Sequence, residues 1–256
     1  MKDIWMYWEN MGKTRPEYIN LCIQSIMTHK GDLRLNLLDQ DSINQYIPDL
    51  RPEWHRLKKA AHKADYVRTR LVYTYGGMWI DCDMAALDSI EPLFDFPDCY
   101  DYACQDIGQS IGCFIARPGC ALLKNVIEAQ DQVLDENCSD FQWNGIGNEL
   151  LAKYGKDYDY FQWPKWTLDE IPGNAIAKLL SPRESFEDNI DHNAVIFHFC
   201  NESIGPLIQK HVKSRRLTTS NKLISKIFRK ALKIDEPVAE EDARLFPFLR
   251  RILRQP

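Results

Sequence analysis

Apolar positions along this chain switch between two spacings, and the switch points mark the elements. Ile4 to Trp8 is a short apolar run that predicts a first strand. Pro16 to His29 sets Ile19, Ile23, Ile26 and Met27 at helical spacing, with Pro16 suited to a first turn. Leu33 to Leu38 alternates as a second strand and ends at Asp39-Gln40-Asp41, where Asp41 is placed to cap a short helix. Leu57, Ala60, Ala64, Val67, Leu71 and Tyr75 then recur at intervals of three and four, so one face of a further helix is expected to be buried. Gly76 and Gly77 stop it, because residues without a Cβ accept the left-handed turn into a strand. Tyr100 to Cys104 and Cys113 to Ala116 read as later strands, Cys120 to Leu134 and Asn148 to Tyr154 as helices, and Val195 to Phe199 as a late strand.

Strands alternating with helices predict an α/β domain with a mostly parallel, Rossmann-like sheet and helices on both faces. Ligands in such sheets bind beyond the C-terminal ends of strands. Trp8, Asp39, Asp81, Asp83 and His198 all fall at or just past predicted strand ends, so they are expected to converge on one cleft.

The chemistry concentrates after the glycine pair. Alternation from Met78 puts Trp79, Asp81 and Asp83 on one side, with Met78, Ile80 and Cys82 on the other. Two carboxylates held that close repel unless a cation sits between them, and a hard divalent ion suits oxygen ligands and binds phosphates in turn. Asp65 and Arg68, three apart on the preceding helix, share a face and flank whatever that ion holds. The plain alternative is a solvated turn beside a surface ion pair.

The run from Ala64 to Asp83 resembles the core signature of glycosyltransferase family 32, the sugar-binding region with a DXD motif, and of the related capsular polysaccharide synthesis proteins. Weaker likeness extends from Ile4 to about Ser203, through Ile4-Trp5-Met6-Tyr7-Trp8, Ile111 to Gly119, Asn144-Gly145 and His198 with Ser203. The resemblance implies a single GT-A type domain over residues 1–206 and a retaining, metal-dependent hexosyltransferase. It also implies a nucleotide diphosphate sugar donor, UDP-linked by preference, and a glycan or lipid-linked glycan acceptor in bacterial surface polysaccharide synthesis. It implies Mn²⁺ or Mg²⁺ as cofactor, with Asp83 a direct ligand, Asp81 a ligand directly or through water, and His198 a late ligand. By the same likeness Asp65, Arg68 and Asp81 carry the catalytic work, Trp8 and Trp79 join them in holding the donor, and Asn144 and Gly145 shape the acceptor side. Two positions depart from the pattern: Ile204 replaces a tryptophan after Ser203, and Ile146 replaces a proline after Gly145.

Two other functions compete. A haloacid dehalogenase-type phosphohydrolase also ends a strand in Asp-x-Asp, but its motif does not continue as Met84-Ala85 does here. A non-catalytic carbohydrate-binding protein on the same fold has no need of Asp65, Arg68, Asp81 and Asp83 together.

Composition changes this picture little. The chain has 256 residues, 45% hydrophobic and 27% charged, enough for one α/β domain with a full core. A net charge of -5 argues against nucleic acid as a partner. The 8 cysteines form no CxxC pair and are expected as buried free thiols. No signal-peptide core and no membrane-length apolar segment is seen, so the expected location is the cytoplasm; because eukaryotic members of the resembled family commonly carry a membrane anchor, the resemblance then implies a bacterial enzyme. The tail over 207–256 differs from the rest. Positive side chains from Lys210 to Lys233 run beside Leu223, Ile224, Ile227, Phe228, Ala231 and Leu232 at helical spacing, before an acidic patch at Glu236 to Asp242 and an apolar-basic end at Leu245 to Arg254. Such a helix either lies peripherally on the inner face of the cell membrane or docks on the domain with its cationic face solvated, and both readings stay open.

Overall fold

The computed structural model describes residues 2–12, 14–108, 111–137, 142 and 144–234. Its elements in order are β1 (Asp3–Tyr7), α1 (Glu17–His29), β2 (Arg34–Leu38), α2 (Pro52–His55), α3 (Ala60–Tyr75), β3 (Gly77–Ile80), β4 (Met84–Ala86), β5 (Tyr102–Cys104), β6 (Cys113–Ala116), α4 (Ala121–Asn137), α5 (Asn148–Gly155), β7 (Phe161–Gln162), β8 (Leu168–Glu170), β9 (Ile196–His198), α6 (Asn201–His211) and α7 (Leu223–Leu232). The described chain falls into two compact units. The first takes residues up to Thr14 with Asp32–Cys82 and Glu91–Pro164; the second takes Arg15–Gly31, Asp83–Ile90 and everything from Lys165 on.

Unit 1 holds a six-stranded sheet in the order β2-β1-β3-β6-β5-β7. β1 runs parallel to β2 and to β3, and β7 parallel to β5, while β6 enters antiparallel between β3 and β5. The sheet is therefore α/β and mostly parallel, as the alternation predicts. Every residue of β3 is buried, the continuous apolar run of a strand covered on both faces. Gly77 is required there: at φ 104° it lies so close to β1 that a Cβ would stand 2.4 Å from the Asp3 carbonyl oxygen. Gly76, at φ 68°, ends α3 and donates its N–H to Val72.

α3 departs from the amphipathic expectation. Residues 62 to 69 are buried without a break, His62, Lys63, Asp65, Arg68 and Thr69 included. Tyr75, expected on the inner face, is exposed. A helix surrounded by packed elements must bury its polar residues too, which is affordable only when each finds a partner. Lys63 pairs with Glu9 at 2.8 Å, and the Thr69 hydroxyl donates to the Gln130 side chain at 2.8 Å.

Unit 2 holds a three-stranded sheet, β4-β9-β8, with β9 antiparallel to β4 and parallel to β8. α1 packs on β4 and on α7. Leu223, Ile224, Ile227, Phe228 and Ala231 of α7 are fully buried, and the Phe228 ring stacks on Phe199 with centroids 5.0 Å apart. The apolar stripe of the basic segment is thus covered by protein. Part of its charge is engaged as well, since Lys226 donates to the Glu184 carbonyl and Arg229 to those of Thr218 and Ser220. The acidic patch and the apolar-basic end lie outside the described residues. Among the described residues no helix is long and apolar enough to cross a membrane. None of the seven cysteines described is in a disulfide; five of them are buried, Cys99 is exposed and Cys200 half-buried.

Candidate functional site

In unit 1 the middle of α3 and the end of β3 bring four predicted residues together. Arg68 reaches Asp65 at 3.1 Å on its own helix and Asp81, just past β3, at 2.9 Å. Its Nε also donates to the Ala64 carbonyl, so three of its donor directions are fixed. Trp79 donates its indole N–H to the same Asp81 oxygen at 2.7 Å, and the Arg68 guanidinium lies over the Trp79 ring, 5.1 Å from its centroid. Trp79 is fully buried. The ring-stacking expected of it is therefore corrected: with no exposed face, it supports Asp81 and Arg68 instead.

Asp65 pays for its position. Burial pushes its carboxyl up to about 6; Arg68 opposes the rise and Asp81 adds to it. The close neighbour on its other side is Gly147, at the N-terminus of α5, where a Cβ would fall 2.6 Å from the Asp65 Oδ2. Only glycine leaves that carboxylate its place. Gln130 of α4 ties the arrangement, donating from its side-chain amide to the backbone carbonyls of Asp65 and Ile146, both at 2.9 Å. Asn144 and Gly145 sit in the turn that ends at Gly147, whose N–H donates to the Asn144 carbonyl at 3.0 Å.

Beyond the C-terminal ends of β1 and β2 there is a pocket of about 390 Å³ lined by Trp8, Glu9, Asn10, Met11, Gly12, Asp39, Gln40 and Asp41. Trp8 is half-buried, its indole N–H held by the Asn10 side chain at 2.9 Å. Asp39 caps the following turn through Ser42, which holds its carboxyl below the usual range.

In unit 2 Asp83 and His198 meet. The His198 Nε2 is 3.5 Å from the Asp83 Oδ2, and the Asn201 backbone N–H donates to that same oxygen at 2.6 Å. Antiparallel pairing of β4 with β9 sets this up: Met84 faces His198, and the Phe199 N–H donates to the Asp83 carbonyl. Burial pushes the Asp83 carboxyl up, but His198 and the backbone N–H groups outweigh it and the carboxyl ends below its usual range. His198 moves oppositely: burial lowers it, and Asp83, Cys200 and Glu170 more than compensate, holding it well above the usual imidazole range. Tyr18 of α1 donates to the Asn201 side chain, and Gly205 leaves room for that bond, since a Cβ there would stand 2.6 Å from the Tyr18 hydroxyl.

Of the predicted residues, unit 1 gathers Asp65, Arg68, Trp79 and Asp81, and unit 2 gathers Asp83 and His198. Sequence reasoning missed Gly147, Gln130, Glu170, Cys200 and Asn201. A Cys two residues after a candidate ligand His was a visible signal for Cys200; the others had none, because a lone Glu, Gln or Gly announces nothing without its neighbours.

Comparison with known proteins adds a partial match. The model of a family described as capsular polysaccharide synthesis protein matches residues 1–103, a span that includes Trp8, Asp65, Arg68, Trp79, Asp81 and Asp83 but not His198. No curated protein matches the chain. Among solved structures, the PaToxG glycosyltransferase is similar at 11% identity over 93% of this chain and 88% of its own, TM-score 0.47. The galactosyltransferase LgtC in complex with donor and acceptor sugar analogs is similar at 11% identity over 96% and 99%, TM-score 0.46. The glycosyltransferase GlyE of Streptococcus pneumoniae TIGR4 is similar at 12% identity over 77% and 54%, TM-score 0.49.

Proposed function

We propose that this chain is a metal-dependent, retaining glycosyltransferase that moves a hexose from a nucleotide diphosphate sugar, UDP-linked by preference, to a glycan or lipid-linked glycan in bacterial surface polysaccharide synthesis. The observation that carries the reading is the Asp65–Arg68–Asp81 network between the middle of α3 and the end of β3, inside the span that the capsular polysaccharide synthesis family model matches. An enzyme that only needed to fold gains little from two carboxylates around one buried guanidinium, because desolvation cancels much of their attraction.

The pocket at Trp8 is sized for a nucleoside and offers an indole for stacking and the Asp39 carboxylate for ribose hydroxyls. Asp65 in its ionised form accepts hydrogen bonds from sugar hydroxyls, and Arg68 donates to the donor, which is catalysis by orientation. Trp79 and Gln130 keep those two groups from moving. Asn144 and Gly145 border Asp65 through the turn at Gly147 and serve the acceptor side.

Asp83 and His198 fit a divalent cation of the Mn²⁺ type: an oxygen and a nitrogen donor stand 3.5 Å apart, with Asp83 fixed by the Asn201 N–H. Such an ion neutralises the diphosphate leaving group when bound. Within unit 1, Asp65 is committed to the ion pair with Arg68 and the contact with Gly147, and neither it nor Asp81 is free to attack as a covalent nucleophile. Front-face substitution follows as the working mechanism.

The test is a donor-hydrolysis and transfer assay over a panel of nucleotide sugars with and without Mn²⁺, paired with thermal shift, since a ligand of the native state raises apparent stability. Metal-dependent stabilisation and hydrolysis of one donor are expected, both lost in Asp83→Asn with the fold intact by circular dichroism. Full activity in that variant or in excess chelator removes the metal role, and binding of sugars without hydrolysis or transfer leaves a carbohydrate-binding protein.

A further inference from the structure

The two ring nitrogens of His198 face different partners. Nε2 looks to Asp83, whereas Nδ1 is 3.3 Å from the Glu170 Oε2 and 3.4 Å from the Cys200 Sγ. The remaining edge, Cys200 Sγ to Glu170 Oε2, is 3.5 Å. Register makes this triangle: Glu170 is the β8 residue directly paired with His198 on β9, and Cys200 follows two residues later at the start of α6, in a left-handed conformation of φ 48° that a cysteine seldom adopts.

Thiol, imidazole and carboxylate together are the donor set of a thiophilic first-row cation, and the thiolate disfavours Mg²⁺ and Mn²⁺. Bonds of about 2.3 Å to sulfur, about 2.0 Å to nitrogen and about 2.1 Å to oxygen, spread tetrahedrally, set ligand atoms roughly 3.4 to 3.6 Å apart. The three edges here match that triangle within about 0.1 Å, so the ligand atoms already stand at the separations an ion requires. Glu170 is exposed and the other two half-buried, which gives an entry path and leaves a fourth position to water.

We propose that Glu170, His198 Nδ1 and Cys200 form a binding site for a zinc-type divalent cation, on the side of the imidazole opposite Asp83. A consequence rests on the proposed function: a neutral imidazole offers one unprotonated nitrogen, so an ion at Nδ1 leaves the proton on Nε2 and takes His198 from a cation at Asp83. Zinc then competes with the catalytic metal.

Co²⁺ is the probe. Titrated into the full chain, it is expected to give a thiolate-to-cobalt charge-transfer absorption that saturates at one equivalent and is bleached by Zn²⁺. Asp83→Asn and Cys99→Ser keep the band, Cys200→Ser loses it, and Glu170→Gln weakens Co²⁺ binding by roughly tenfold or more. In the unaltered protein, Zn²⁺ slows alkylation of Cys200 as located by peptide mapping, a readout that does not depend on any variant folding. Absence of the band, its persistence in Cys200→Ser, its loss in Asp83→Asn, or unchanged alkylation each overturns the site. Zn²⁺ inhibition of Mn²⁺-supported hydrolysis, relieved in Cys200→Ser, tests the competition; failure of hydrolysis altogether counts against the proposed function and leaves the cobalt result standing.

Discussion

Arg68 holds two carboxylates at once, and that geometry decides what its replacement does. Lysine keeps the charge but not the fork that spans Asp65 at 3.1 Å and Asp81 at 2.9 Å, so Arg68→Lys is expected to cut turnover at least about tenfold while binding of the free nucleotide diphosphate persists. Steady-state kinetics beside calorimetric nucleotide binding checks this; equal loss of both would contradict the assignment. Gly147→Ala drives a methyl into the Asp65 carboxylate and should cost about 1–3 kcal/mol by denaturant unfolding, with lower kcat. Asp65 also sets a pH dependence. Its carboxyl is raised from 3.8 to about 6 by burial, so activity that needs the carboxylate rises through that range, and Asp65→Asn removes this limb from the kcat/KM profile. Stability runs the other way: between the two values the native state holds a proton that the unfolded chain has lost, so stability falls as pH rises through this window and is level above it. Urea melts across the window give the sign.

At the scale of elements, the stop between α3 and β3 is built from two glycines that no side chain can replace. Gly77→Ala meets the Asp3 carbonyl at 2.4 Å with an unfavourable φ, and is expected to lower the thermal midpoint of the whole protein by more than Gly147→Ala does. α7 argues a second case. Its apolar stripe is buried against α1 and Phe199, so Phe228→Ala should cost about 3–5 kcal/mol. Any attraction to anionic lipid then falls to basic side chains alone, and flotation with liposomes should be weak and abolished by moderate salt. Strong, salt-resistant flotation that survives removal of residues 235–256 would mean that α7 leaves its seat.

The whole molecule shows why some of this was legible in the chain and some was not. The strand at Cys113–Ala116, the end of the helix at Tyr75 and the glycine stop fall where the sequence puts them, because local spacing and backbone freedom dictate them, whereas the buried face of α3 does not follow its spacing. The Asp65, Arg68 and Asp81 grouping was legible too, since helix geometry puts positions three apart together and the strand end follows immediately. β4, β7 and β8 were not: at two or three residues each, they have no period to read, and they exist only because a partner strand pairs with them. Residue 206 lies inside α6, and both α6 and α7 belong to unit 2 with α1, a grouping of segments far apart in sequence that no local pattern encodes. Burial of Trp79 beneath Arg68, the contact of Gly147 with Asp65, and the pairing of Glu170 with His198 were likewise decided only on folding. Sequence alone determined which residues carry charge, where the backbone turns and which faces seek the core, because those are properties of single residues and their near neighbours. Tertiary structure alone decided which polar groups lose their water and against whom, because desolvation and ligand geometry belong to pairs of atoms that the chain brings together from a distance.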